Sequence, residues 1–221
     1  FYGYFLAHPG KKLLFMGSEF GQFSEWYEGR GLDWMLLDFD MHAKLHGYTR
    51  ELFRYYRGDR CFWLNDDNWR GFEWIDCHDY SQSVVSFLRK ADDREFTVVV
   101  SNFTPVVRHG YRIGVPRTGR YREVLNSDWV KYGGSGVANG AVWAEKVAWH
   151  SQPCSLVLTL PPLATVYLRW EAGGEEGEEN TYAKKGMRSH DSRRRSGEPA
   201  GRADQDAGQA GGALRRQVPA D

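Results

Sequence analysis

The residues best suited to chemistry lie close together in residues 18–40, where Glu19, Glu25, Glu28, Asp33 and Asp38 are interleaved with Phe20, Trp26, Tyr27 and Trp34. Carboxylates accept hydrogen bonds from hydroxyl groups, and aromatic faces suit stacking against sugar rings. The same aromatics would also serve an ordinary core, where most such side chains end up. Which role they take depends on the elements that carry them.

Leu13, Leu14, Phe15 and Met16 form an apolar block bounded by Pro9-Gly10 and by Gly17. The block is too short for a helix and has the pattern of a strand buried on both faces, as in a parallel sheet. Ser18 to Gln22 then stand at the strand's carboxyl end, where α/β architectures place their ligands. Residues 1–8, FYGYFLAH, predict a helix that stops before Pro9. Residues 23–40 form a loop long enough to be functional. From residue 41 to 57, Leu45, Tyr48, Leu52, Tyr55 and Tyr56 follow a helical period, with Asp40 as the expected N-cap and Gly58 as the stop. The first sixty residues therefore read as helix, strand, long loop and helix.

The pattern changes at about residue 71, where short β-type runs begin, punctuated by turn residues. Residues 71–77 make one run, and 83–89 and 96–102 flank the turn KADDRE as a hairpin. Runs at 111–115, 121–125 and 142–149 follow. Leu156, Leu158 and Leu160 then alternate with Ser155, Val157 and Thr159, and Val166, Leu168 and Trp170 share one face of a last strand. About a hundred residues in about eight antiparallel strands is the size of one two-sheet sandwich. Residues 171–221 are Gly, Ala, Glu, Arg, Ser and Asp with few large apolar side chains, the composition of a solvated tail.

Composition excludes several classes. The formal net charge is zero, so neither a nucleic-acid footprint nor attraction to an anionic membrane is expected. No apolar run approaches the roughly 20 residues of a membrane span. Cys61, Cys77 and Cys154 are odd in number and widely spaced, which predicts a reducing, cytoplasmic compartment. The chain opens on Phe1 with no signal pattern, as a piece of a longer protein would.

Other motifs carry little. GGSGVANG at 133–140 looks like a phosphate cradle but lacks the Gly-Lys-Ser/Thr ending, so a loop between strands is expected. Val137 stands where a nucleophile elbow needs its second glycine. Cys77, His78 and Asp79 are consecutive, and on a strand they alternate faces and do not converge on a metal. No cofactor or metal is expected.

Residues 9–37, PGKKLLFMGSEFGQFSEWYEGRGLDWMLL, are similar to the last conserved segment and following loop of bacterial-type glycogen branching enzymes of the α-amylase superfamily. GFEWIDCHDYSQSVVSFLRK, VVVSNFTPVVRHGYRIGVPRTGRYREVLNSD, YGGSGVANG and SLVLTLPPLATVYLRW resemble successive pieces of the all-β domain that closes those proteins. The resemblance runs from Phe1 to Trp170. It implies that residues 1–60 are the C-terminal end of a (β/α)8 barrel, with its eighth strand and flanking helices, and that 61–170 are an antiparallel β-sandwich. It also implies an α-1,4-glucan substrate, glycogen or amylose-like. The family cuts such a chain through a covalent glycosyl-aspartate, with a glutamate as acid/base and a second aspartate supporting the transition state. The cut segment then passes to a glucose 6-hydroxyl.

Those three acids follow the fourth, fifth and seventh barrel strands, so the resemblance maps none of them here. The residues it leaves as glucan contacts are Glu19, Phe20, Trp26, Asp33 and Trp34, with Phe20 and Trp34 equally able to anchor the loop. A second reading makes the sandwich a non-catalytic glucan-binding or interaction module. That reading needs an exposed coplanar aromatic pair among Trp129, Tyr132, Trp143 and Trp149.

Overall fold

A computed structural model describes residues 1–172; the tail expected over 171–221 lies, from residue 173 on, outside the described residues. Helix α1 spans Tyr2–Ala7 and ends before Pro9. Helix α2 spans Asp40–Gly58 and buries Tyr48, Thr49 and Leu52, the face that the apolar period marked. Asp40 is the first helical residue rather than the cap. Its carboxylate pairs with Lys44 one turn on at 2.7 Å, while Phe39 holds the cap position.

Eight strands follow: β1 (Phe72–Asp79), β2 (Val84–Lys90), β3 (Phe96–Asn102), β4 (Arg108–Val115), β5 (Gly119–Asn126), β6 (Ala141–Ala144), β7 (Cys154–Leu160) and β8 (Ala164–Glu171). They form a six-stranded sheet in the order β1-β2-β3-β8-β5-β6 and a two-stranded sheet of β4 and β7, with every pairing antiparallel. The KADDRE hairpin forms as expected, with Val84 opposite Asn102 and Lys90 opposite Phe96.

Both faces of the large sheet are covered. Val98, Val100, Val166 and Leu168 point toward Ile113, Leu156, Leu158 and Leu160 of the small sheet. Phe87, Val99 and Tyr167 point the other way, into a cluster with Leu6, Ala7, Tyr48, Leu52 and Phe62. Residues of β3 and β8 thus alternate between two cores, and all seven β3 residues are buried, which explains the consecutive valines at its centre, Val98 to Val100. Each large side chain buried this way contributes roughly 1.5–3 kcal/mol.

Two expectations fail locally. The run at 142–149 is a strand only as far as Ala144. Glu145 then leaves β5 and exchanges backbone hydrogen bonds with Ser155 of β7 at 2.8 and 3.0 Å, so the chain stitches the two sheets together. The second correction is larger. Leu13, Leu14, Phe15 and Met16 form no strand, and Leu13 and Phe15 are 79% and 54% exposed. A parallel strand is held by ladder bonds to neighbours, and no described segment flanks this one.

Candidate functional site

Residues 17–42 hold most of the expected site residues in an irregular but well-tied segment. Gly17 and Gly21 adopt left-handed φ values of +88° and +72° on either side of the single 3-10 turn Ser18–Phe20. A Cβ on Gly17 would stand 2.9 Å from the Gln22 Cβ, so the reversal requires glycine on both counts. The Tyr2 hydroxyl donates to the Ser18 carbonyl at 2.9 Å, and His42 Nδ1 donates to the Phe20 carbonyl at 2.7 Å. Gln22 spans the loop that follows. Its Oε1 accepts from the Asp33 amide and its Nε2 donates to the Ser24 carbonyl, both at 2.8 Å.

Each sequence-selected residue then takes a distinct place. Trp34, 55% exposed, lies over Phe20 with ring centroids 5.1 Å apart. Phe20 itself is fully buried, which corrects its assignment as a sugar contact: its ring supports Trp34 and has no free face. Trp26 is 36% exposed and meets Phe15 edge-on at 6.4 Å. Asp33 precedes the 3-10 turn Trp34–Asp38, with Arg30 3.8 Å from its carboxylate. Glu19 is half-buried, and among the described residues its carboxylate makes no hydrogen bond or ion pair. The segment therefore offers two indole faces and an uncommitted carboxylate, enough to bind a polyhydroxylated ring by stacking and hydrogen bonding. The holding roles of Gln22 and His42 escaped sequence reasoning, since bonds to backbone are marked by no spacing rule.

The remaining motifs resolve as structure. Asp128 fills the glycine-rich loop: its carboxylate accepts from the Ser135 amide and hydroxyl and from the Val137 amide, so the cradle's donors already have an anion. Asp79 turns to the Tyr111 hydroxyl at 2.7 Å while the Cys77 thiol lies beside His78 at 3.7 Å, so the triplet does not converge. Trp129 and Tyr132 do stack, at 6.0 Å and 28°, yet Tyr132 is buried against α2 and gives its hydroxyl to Glu51. Trp149 is exposed beside the His150 ring, without a coplanar partner from the other three candidates. The platform that a stand-alone binding module needs is not made by these four residues.

Asp59, Cys61 and Glu95 bring ligand-type atoms within 4.8 Å of one another. The Arg169 guanidinium sits among them, donating to Asp59 at 2.6 Å, Glu95 at 2.9 Å and the Cys61 sulfur at 3.0 Å. A cation's place is thus filled by a side chain. Burial works against Asp59 ionising, but Arg169 and hydrogen bonds from Cys61 and Tyr55 hold its carboxyl below the usual range. Burial, with Asp59 adding to it, pushes the Cys61 thiol up to about 12, so it is no nucleophile at neutral pH.

Comparison with known proteins supplies what geometry does not. Residues 74–171 match the model of the alpha amylase C-terminal all-beta domain. The chain is 54% identical to the 1,4-alpha-glucan branching enzyme of Halothermothrix orenii, over 76% of this chain and 27% of that one. It is 55% identical to the branching enzyme of Rubrobacter xylanophilus over 76% and 24%, and 49% identical to that of Aquifex aeolicus over 77% and 27%. The chain belongs, as a C-terminal part, to the 1,4-alpha-glucan branching enzymes. It spans about a quarter of the length of these relatives. Among solved structures, an alpha-amylase from H. orenii aligns over 76% of this chain and 34% of its own, with a TM-score of 0.46 and 21% identity.

Proposed function

We propose that this chain is the closing portion of an enzyme that transfers α-1,4-glucan segments to glucose 6-hydroxyls in glycogen biosynthesis, and that residues 17–34 face the glucan. The carrying observation is the identity of about half with branching enzymes over 76% of the chain, together with Trp26, Trp34 and Glu19 being left available in this segment. In this reading residues 1–60 end a (β/α)8 barrel and 61–170 close it. Leu13, Phe15, Met16, Phe23, Met35, Phe39 and Met41 then form the exposed apolar band against which the other barrel elements pack. No helix among the described residues is long and apolar enough to cross a membrane, and a cytoplasmic setting fits a glycogen substrate.

A retaining transfer needs a nucleophilic and a proton-donating carboxyl about 5 Å apart across the scissile bond. The proposal assigns both to barrel segments outside these 221 residues, and to the present chain only the holding of glucan. Incubated alone with amylose, the purified chain is expected to leave iodine colour unchanged and to form no α-1,6 linkages. Measurable branching would overturn the assignment. Within the chain, Trp26→Ala is expected to weaken maltoheptaose binding about 5- to 10-fold, the loss of roughly 1–1.5 kcal/mol of stacking, with little change in melting temperature. A lowered melting temperature with unchanged affinity would make Trp26 structural.

A further inference from the structure

One fully buried charge has no part in the function just proposed. Arg89 stands on β2 with its side chain closed off from solvent, and its guanidinium spreads over stretches far apart in sequence. It donates to the carbonyls of Ala7 at 2.6 Å, Phe62 at 3.0 Å and Gly71 at 3.2 Å, and to Asp66 Oδ1 at 2.8 Å. Ala7 is the last residue of α1, and Asp66 carries the connection onward. Its Oδ2 accepts from the Gly10 amide at 3.3 Å and lies 3.9 Å from Lys12 Nζ, which in turn donates to the His8 carbonyl. Gly10, with φ +105°, and Lys12 form the root of the segment that has no sheet neighbours and carries Glu19, Trp26 and Trp34. Burial alone does not require an arginine at position 89, since apolar residues of similar volume fill such sites as well or better. A planar fork that satisfies four acceptors on converging stretches does require one.

We infer that Arg89 and Asp66 are positioning residues, a relay from the sheet to the root of residues 10–34 that sets where the exposed indoles stand. The link to glucan rests on the function proposed above; the relay to the root does not.

The test is Asp66→Asn in the full chain. The asparagine carbonyl still accepts from Arg89, but its NH2 faces the Gly10 amide and the Lys12 ammonium, both donors, so the relay is cut at one joint. Amide hydrogen exchange is expected to quicken about 10-fold at Gly10, Ser18 and Gln22 while β3 and β8 keep their protection. Lys12→Met is expected to move the same amides in the same direction by less. The maltoheptaose dissociation constant should rise with Asp66→Asn in proportion. Unchanged exchange at residues 10–22, or an equal rise across β3 and β8, would overturn the relay. If the unmodified chain shows no affinity for maltoheptaose, the glucan reading falls while exchange still decides the relay.

Discussion

Replacing Asp59 with alanine is expected to lower the unfolding free energy by about 3–5 kcal/mol, the cost of removing one partner from a buried ion pair. Asp59 accepts from the Arg169 guanidinium at 2.6 Å, the Tyr55 hydroxyl at 2.8 Å, the Thr97 hydroxyl at 2.9 Å and the Cys61 amide at 3.0 Å. These donors come from α2, from β3, from β8 and from the turn after α2, so the carboxylate ties the helical layer to the centre of the sheet. Its loss takes the acceptor from the Tyr55 and Thr97 hydroxyls and leaves Arg169 with Glu95 as its one carboxylate among the described residues, beside the Cys61 sulfur and the Thr97 hydroxyl. Urea denaturation should show a lower midpoint at unchanged slope.

The pH dependence of this contact has a definite sign. The folded carboxyl titrates below its ordinary value, so the stabilisation is complete above the unfolded pKa of about 4 and is lost as pH falls through the lower folded value. The gap between the unmodified chain and Asp59→Asn should therefore be widest near neutrality and narrow as pH falls below the unfolded value. A gap that stays constant with pH would assign the effect to packing rather than charge.

Arg89→Met is expected to be at least as damaging, again by about 3–5 kcal/mol or more, because three backbone carbonyls and the Asp66 carboxylate lose their donor together. Methionine fills much of the volume and supplies no hydrogen bond. Arg89→Lys should recover only part of the loss, since an ammonium has three donors and no fork to reach four converging acceptors. Denaturant midpoints for the two variants check this. A lysine variant as stable as the unmodified chain would show that charge alone, without the fork, suffices.

Much of the architecture was legible from local patterning. Pro9 ends α1, because a proline disfavours helical conformation in the residue before it. The period of Leu45, Tyr48 and Leu52 marked the buried stripe of α2. The alternation of Leu156, Leu158 and Leu160 marked the inner face of β7, and KADDRE marked the tip of the β2–β3 hairpin. Strand order was not legible. Each strand advertises which faces are buried but not which edge it pairs with, so the placement of β8 between β3 and β5 depends on long-range ladder bonds. Leu13 to Met16 misled for a related reason: an apolar block specifies burial, and whether it becomes a strand depends on neighbours.

The candidate site divides along the same line. By itself the sequence determined the types of group available, acids and aromatics in residues 18–40, and through its resemblance the glucan chemistry they suit, because residue type and motif order are written locally. Tertiary structure decided which of them remain usable: Phe20 is spent beneath Trp34, while Trp26, Trp34 and Glu19 stay open. It also revealed Gln22, His42, Asp66 and Arg89 as the groups that hold the segment. Apart from Ser24 beside Gln22, their partners lie between 11 and 82 positions away in the chain, and a hydrogen bond across such a separation exists only once packing has brought the two groups within about 3 Å.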